Sequence, residues 1–182
     1  MTHDDIEAPR LSLRLMPPEA VEACLAGDLA KASHLIDVEV PAELLQEPTA
    51  LRFAQIRLDD TPGYGPWSIR AMVLRAERRM VGHIRFHTTP DPEYLQPYAQ
   101  GAVEFGYHVF EGERRKGYAT EAAGAVMNWA HTEQGVPRFI LTVSPTNIAS
   151  LSLIAGYGFK KIGEHIDEVD GLEHIFLREV RA

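Results

Sequence analysis

Arg114-Arg115-Lys116-Gly117-Tyr118-Ala119-Thr120-Glu121 is the stretch most able to do chemistry. It follows a strand-like run, Val103 to Phe110, and opens a helix-like run near Tyr118. The first N–H groups of a helix lack internal acceptors, and the helix dipole adds partial positive charge there. A basic, glycine-bearing turn at that point is a receptor for a phosphate or pyrophosphate. Gly117 has no Cβ to keep a ligand from the backbone. The run is not a P-loop, because Gly-Lys-Ser/Thr is missing, and it is not Gly-x-Gly-x-x-Gly. The competing reading is a solvated charge run, and the glycine with its flanking elements favours the anion site.

Other reactive side chains carry less. Cys24 is the single cysteine. It lies on an apolar helical face with Val21 and Leu25, so it reads as core rather than nucleophile. Eight histidines include His83 and His87 on one face of a strand, and His165 and His174 across a closing hairpin. No His-Glu-x-x-His or cysteine–histidine cluster accompanies them, so no metal is expected. His87 or His108 could line a substrate cleft. Tyr64, Trp67, Tyr94 and Tyr98 lie in or beside loops, where they either wall a pocket or pack beneath the chain.

The elements that must position these groups follow from periodicity. Leu11 to Leu15 alternates as a strand. Pro17-Pro18-Glu19 enters a helix carrying Val21, Cys24, Leu25, Leu29 and Ala32, weakened at Gly27. A second helix covers about Leu44 to Leu58, interrupted by Pro48. Thr61 to Pro66 breaks the chain. Trp67 to Ala76 and Met80 to Thr88 form a hairpin around Glu77-Arg78-Arg79. A loop over 90–101 precedes a strand, Glu104 to Phe110. Ala119, Ala122, Ala123, Val126, Met127 and Ala130 mark an amphipathic helix. Arg138 to Val143 is a strand. Asn147 caps a helix from about Ile148 to Tyr157, and two strands close the chain around Asp170-Gly171. This is a mixed α/β domain around one sheet.

At 182 residues the chain fits one domain over 1–182, with residues 1–10 expected as a flexible tail. No apolar run reaches the roughly 18 residues that span a bilayer. The first residues lack the form of a signal peptide. One cysteine excludes an internal disulfide framework and points to the cytoplasm. A formal net charge of −8 argues against non-specific nucleic-acid binding. It suits a cationic partner such as an amine, or solubility alone.

Arg114-x-x-Gly117-x-Ala119, the helix after it, and Asn147-x-x-Ser150 followed by Gly158-Phe159 resemble the GNAT N-acetyltransferase superfamily. Its acyl-CoA signature is Arg/Gln-x-x-Gly-x-Gly/Ala between a strand and a helix. Gly117-Tyr118-Ala119-Thr120-Glu121-Ala122 with Asn147-x-x-Ser150 looks most like the RimJ/RimL branch, which acetylates ribosomal-protein N-termini. The likeness is good over about Trp67 to Val180, and rests on element order before that. It implies a mostly antiparallel central sheet flanked by helices.

The resemblance also implies roles. Arg114, Arg115, Lys116, Gly117, Tyr118, Ala119 and Thr120 would hold the CoA pyrophosphate. His108, Val109 and Phe110 would pair with the pantetheine arm, with the Val109 N–H polarising the thioester carbonyl. Asn147 would bond the cofactor arm, and Ser150 would lie near its sulfur. Glu104 is the candidate base for the amine, against a reading as a strand residue or a partner of Arg85. Many relatives have a tyrosine acid seven residues after the asparagine; here Ile154 stands there, which leaves Ser150 as substitute, against helix packing.

The expectation is thus acetyl-CoA, or another acyl-CoA such as succinyl-CoA, as co-substrate, with no metal. The acceptor is a peptide N-terminus or small-molecule amine, attacking directly in a ternary complex. Neither nucleic acid nor membrane is a partner, and a homodimer fits the family. A non-catalytic acyl-CoA sensor or scaffold is the alternative, kept open by Ile154.

Overall fold

Alternating apolar side chains need a second layer to cover them, and the chain supplies that layer twice. The computed structural model describes residues 5–167 and 171–180. These fall into two compact units, Met1–Thr88 with Tyr107–Val126, and Thr89–Gly106 with Met127–Ala182.

In the first unit, β1 (Ile6–Glu7), β2 (Leu11–Leu15), β3 (Arg70–Leu74) and β4 (Arg79–Phe86) form an antiparallel ladder. The expected tail therefore contributes a strand, since Ile6 is buried and pairs with Leu13. The single helix expected after Pro17 is two, α1 (Pro18–Leu25) and α2 (Leu29–Ile36). Gly27 takes φ +79° and ends the first. The Asp28 carboxylate then accepts from the Lys31 N–H at 3.0 Å and caps the second. Pro48 divides the next segment into a 3-10 turn, Ala42–Leu45, and α3 (Thr49–Asp60), because proline suits only a first helical turn. Val21, Cys24, Ile36, Leu51 and Ala54 meet Ile69, Ala71 and Val73 in one core. Tyr64 is wholly buried and its hydroxyl donates to the Phe86 carbonyl at 2.6 Å. Trp67 packs edge-on against Phe86. For both rings the packing reading holds.

The second unit is built on β6 (Arg138–Val143), β7 (Lys160–Asp167) and β8 (Gly171–Glu179), with α5 (Ile148–Gly156). β8 pairs antiparallel with both β6 and β7. Gly171 takes φ +77° where β8 begins, and Asp170 of the expected turn lies outside the described residues. Leu95, Ala99, Ala102, Ile140 and Ile175 form this unit's core. Tyr98 lies against Gly163 of β7.

Two elements contribute to both units. β5 (Ala102–Val109) enters the order β1-β2-β3-β4-β5-β6-β8-β7, so the sheet is mostly antiparallel, with β5 and β6 parallel. The helix α4 (Tyr118–Thr132) buries Ala122, Ala123, Val126, Met127 and Ala130, the face its spacing predicts. Among the described residues, no helix is long and apolar enough to cross a membrane.

Candidate functional site

In the first unit the chain leaves β5 at Phe110, makes a 3-10 turn over Glu111–Glu113, and reaches α4 through Arg114 to Gly117. Arg115 takes φ +63° and Gly117 φ +83°. Left-handed residues paired with right-handed neighbours can turn successive N–H groups toward one point, a geometry that suits an anion; Arg114, before the first of them, is extended, at φ −68° and ψ 162°. For Arg115 the conformation costs on the order of 1 kcal/mol, strain of the kind kept at binding sites. The basic side chains are less free than the sequence implies. Lys116 Nζ pairs with Glu113 at 2.9 Å, and Arg79 pairs with the other Glu113 oxygen at 2.7 Å. These partners, Arg79 foremost, hold the Glu113 carboxyl below the usual range.

Phe110 N–H donates to the Val81 carbonyl on β4 at 3.0 Å. Alternation along the strand then turns the Val109 N–H and carbonyl to the edge away from β4. The Val109 carbonyl there accepts from Arg114 Nε at 3.1 Å. This leaves Val109 N–H on the edge an added strand would use. Close approach at this point depends on Gly82 of β4, a residue the sequence did not single out. A Cβ on Gly82 would stand 2.3 Å from the His108 carbonyl oxygen and 2.9 Å from Val109 Cα.

His108 lines a cavity of about 510 Å³ with Glu43, Glu47, Glu111 and Arg114. His87 is not part of that lining. His108 Nδ1 lies 3.3 Å from a Glu47 oxygen, and its ring stacks on His83 with centroids 5.6 Å apart. Burial lowers the His108 pKa, with Glu47 opposing it. His83 is driven down to about 3, first by burial and then by the charges of His108 and Arg85. Both rings are thus neutral at pH 7.

In the second unit Glu104 lies on β5 where parallel pairing with β6 ends. That pairing runs from Ala102↔Arg138 to Glu104↔Ile140, although both strands continue. Glu104 is 7 % exposed. One carboxylate oxygen accepts from Thr142 Oγ1 at 2.6 Å, the other from Tyr94 OH at 2.9 Å. Both carboxylate oxygens accept a hydrogen bond. Tyr94 thus has a polar task that its place in a loop did not reveal.

Asn147 caps α5, its side-chain oxygen accepting the Ser150 N–H at 3.1 Å. Its amide group retains two donors. Ser150 is buried one turn into the helix. Ile154, at the position of the family's tyrosine, is 2 % exposed in the apolar interior. Tyr157 lies under the Arg178 guanidinium at 5.2 Å.

Cys24 is buried, and burial pushes its thiol up to about 11, which removes it as a nucleophile. Among the described residues His165, Asp167 and Glu173 bring one ligand atom each within 4.8 Å of one another on the β7–β8 hairpin. Solvated imidazoles and carboxylates also group this way without an ion.

A family model described as an acetyltransferase (GNAT) domain matches residues 10–160. The uncharacterised N-acetyltransferase YnaD of Bacillus subtilis is 29% identical over 92 residues, 50% of this chain and 49% of that protein. The chain thus spans about half the length of this curated relative. Among solved structures, the ribosomal-protein-S5-alanine acetyltransferase of Vibrio fischeri superposes with a TM-score of 0.65 at 15% identity, over 96% of each chain. The microcin C7 self-immunity acetyltransferase MccE, solved with acetyl-CoA and AMP, gives 0.60 at 14% identity over 94% of this chain and 93% of that one. At such identities the two structures speak for the fold, which is that of the family.

Proposed function

Since the chain belongs to the acetyltransferase (GNAT) domain family, we propose that it moves an acetyl group from acetyl-CoA to a primary amine by direct attack. The observation that carries this reading is the turn with left-handed backbone at Arg115 and Gly117, entered from a strand edge and leading into a helix. That sequence of features suits a ligand whose pyrophosphate is followed by an extended amide-bearing arm. The N–H groups of Arg115 to Thr120 take the pyrophosphate, while Arg114 braces the strand through Val109. The arm lies along His108 to Phe110, and the Val109 N–H meets the thioester carbonyl oxygen. Asn147 bonds the arm.

The amine nitrogen attacks the carbonyl carbon, the C–S bond breaks, and the electron pair leaves on the thiolate. An ammonium must first lose a proton, since amines have reference pKa values of about 8 to 10. Glu104 accepts it through water, because its buried oxygens already hold Tyr94 and Thr142. Ser150 donates a hydrogen bond to the leaving sulfur. The cavity beside His108, with three carboxylates in its lining, supports a cationic amine, either a peptide N-terminus of the RimJ/RimL kind or a small polyamine.

Release of free thiol from acetyl-CoA with a panel of peptides and amines, with products weighed by mass spectrometry, tests this. Glu104→Gln should lower acceptor-dependent release by roughly 10²-fold and leave the acetyl-CoA Kd unchanged. Wild-type rates across pH would remove Glu104 from the reaction. Ile154 in the core favours one second reading, an acyl-CoA sensor without turnover. It predicts acetyl-CoA binding and no acceptor-dependent release with any amine.

A further inference from the structure

Glu121 belongs to the motif that marks the turn, yet no step above uses it. It lies in the first turn of α4, an acidic group beside a receptor for anions. Its carboxylate is only 11% exposed and is held from far along the chain. One oxygen accepts the backbone N–H groups of Arg10 at 2.6 Å and Leu11 at 3.0 Å. The other accepts Arg10 Nε at 2.7 Å. Burial pushes the Glu121 pKa up, but the Arg10 N–H and guanidinium outweigh it and the net direction is down. The group is therefore an anion at neutral pH.

The same guanidinium reaches the turn itself. Arg10 Nη1 donates to the Lys116 carbonyl at 2.9 Å, and its Cζ stands 4.8 Å above the Tyr118 ring. A Cβ on Gly117 would lie 3.3 Å from Arg10 Nη2. Gly117 thus makes room for this arginine as well as supplying its positive φ. All of these residues belong to the first unit. A planar fork that engages a carboxylate, a carbonyl and a ring at once is a task lysine cannot do.

We propose that Arg10 is a positioning residue for the pyrophosphate turn, fixing Lys116 to Tyr118 in the binding conformation and cancelling the Glu121 charge beside the ligand. The proposal rests on the reading of that turn as the CoA pyrophosphate site. Without Arg10, the Lys116 carbonyl is released and an uncompensated carboxylate faces the incoming anion. Both effects act on the pyrophosphate end of the donor and neither on its thioester end.

The test compares acetyl-CoA with S-acetylpantetheine, which lacks the pyrophosphate, as calorimetric titrants. The wild type should bind acetyl-CoA much the tighter. Arg10→Gln should raise the acetyl-CoA Kd by roughly tenfold or more, the scale of one charge-assisted hydrogen bond, and leave the S-acetylpantetheine Kd unchanged. Arg10→Lys keeps the charge without the fork and should recover only part of the loss. If Arg10→Gln proves unfolded, Arg10→Lys alone carries the test: a raised acetyl-CoA Kd with an unchanged S-acetylpantetheine Kd supports the role. Equal weakening of both titrants, or no weakening of acetyl-CoA, overturns the role of Arg10. A wild type that binds both titrants equally well overturns instead the pyrophosphate reading of the turn.

Discussion

Gly82→Ala is a small change with a large expected effect, because the space it needs is occupied by backbone. The added Cβ would meet the His108 carbonyl oxygen at 2.3 Å, Val109 Cα at 2.9 Å and the His108 carbonyl carbon at 3.2 Å. Ordinary carbon–oxygen contacts begin near about 3.3 Å, so β5 or β4 must give by roughly 1 Å. A rotamer change cannot relieve the clash, since every atom met is main chain. Overpacking of this kind costs about 1–3 kcal/mol. A gain of about 0.4–1 kcal/mol from the stiffer unfolded chain offsets part of it. The net loss of about 1–2 kcal/mol should lower Tm by roughly 2–8 °C in a protein of this size. The displaced atoms carry the Val109 N–H, which the proposed reaction aims at the thioester carbonyl, and a misplacement of about 1 Å in such a site can cost on the order of 10²-fold in rate. Thermal unfolding and acceptor-dependent thiol release should therefore both fall. Gly65→Ala, where nothing lies within 4 Å of a new Cβ and which is outside the cavity beside His108, should change neither. A Gly82→Ala protein with wild-type Tm and rate would refute the close approach of β4 and β5.

Two further outcomes follow from buried groups. The His83 pKa falls from an ordinary 6.5 to about 3 on folding, so the unfolded chain binds the proton first as pH drops. The native state should lose up to about 1.4 kcal/mol per pH unit between about pH 6.5 and 3, and nothing from this group above pH 7. Urea midpoints at pH 7 and pH 5 should show that fall in the wild type and a flatter profile in His83→Leu; parallel profiles would exclude His83 as the cause. Ser150→Ala should lower kcat by roughly tenfold, the scale of a hydrogen bond to a charged leaving group, with the acetyl-CoA Kd unchanged. An unaltered kcat would assign Ser150 to helix packing.

Element order was legible in the sequence because local signals agree with the fold. Period-two alternation marks Leu11 to Leu15, spacings of three and four mark α4, and Asn147 caps α5 as its side chain predicts. Boundaries failed where one residue overrode periodicity. Gly27 and Asp28 cut one expected helix into α1 and α2, and Ile6 was drawn into the sheet from the expected tail. Such effects depend on what lies across the sheet, which periodicity does not encode.

By itself the sequence determined the family and the place of the turn that opens α4, since Arg114-x-x-Gly117-x-Ala119 is a local constraint on a helix start. Tertiary structure alone decided how that turn is held. Arg10 and Glu121 are 111 positions apart and meet through two bonds. Gly82 matters because His108 crosses it, and Glu104 is oriented by Thr142, 38 positions on. Side-chain type and spacing report what a segment can do alone. Which donor reaches which carboxylate is fixed only when distant strands pair, because a hydrogen bond needs atoms about 3 Å apart.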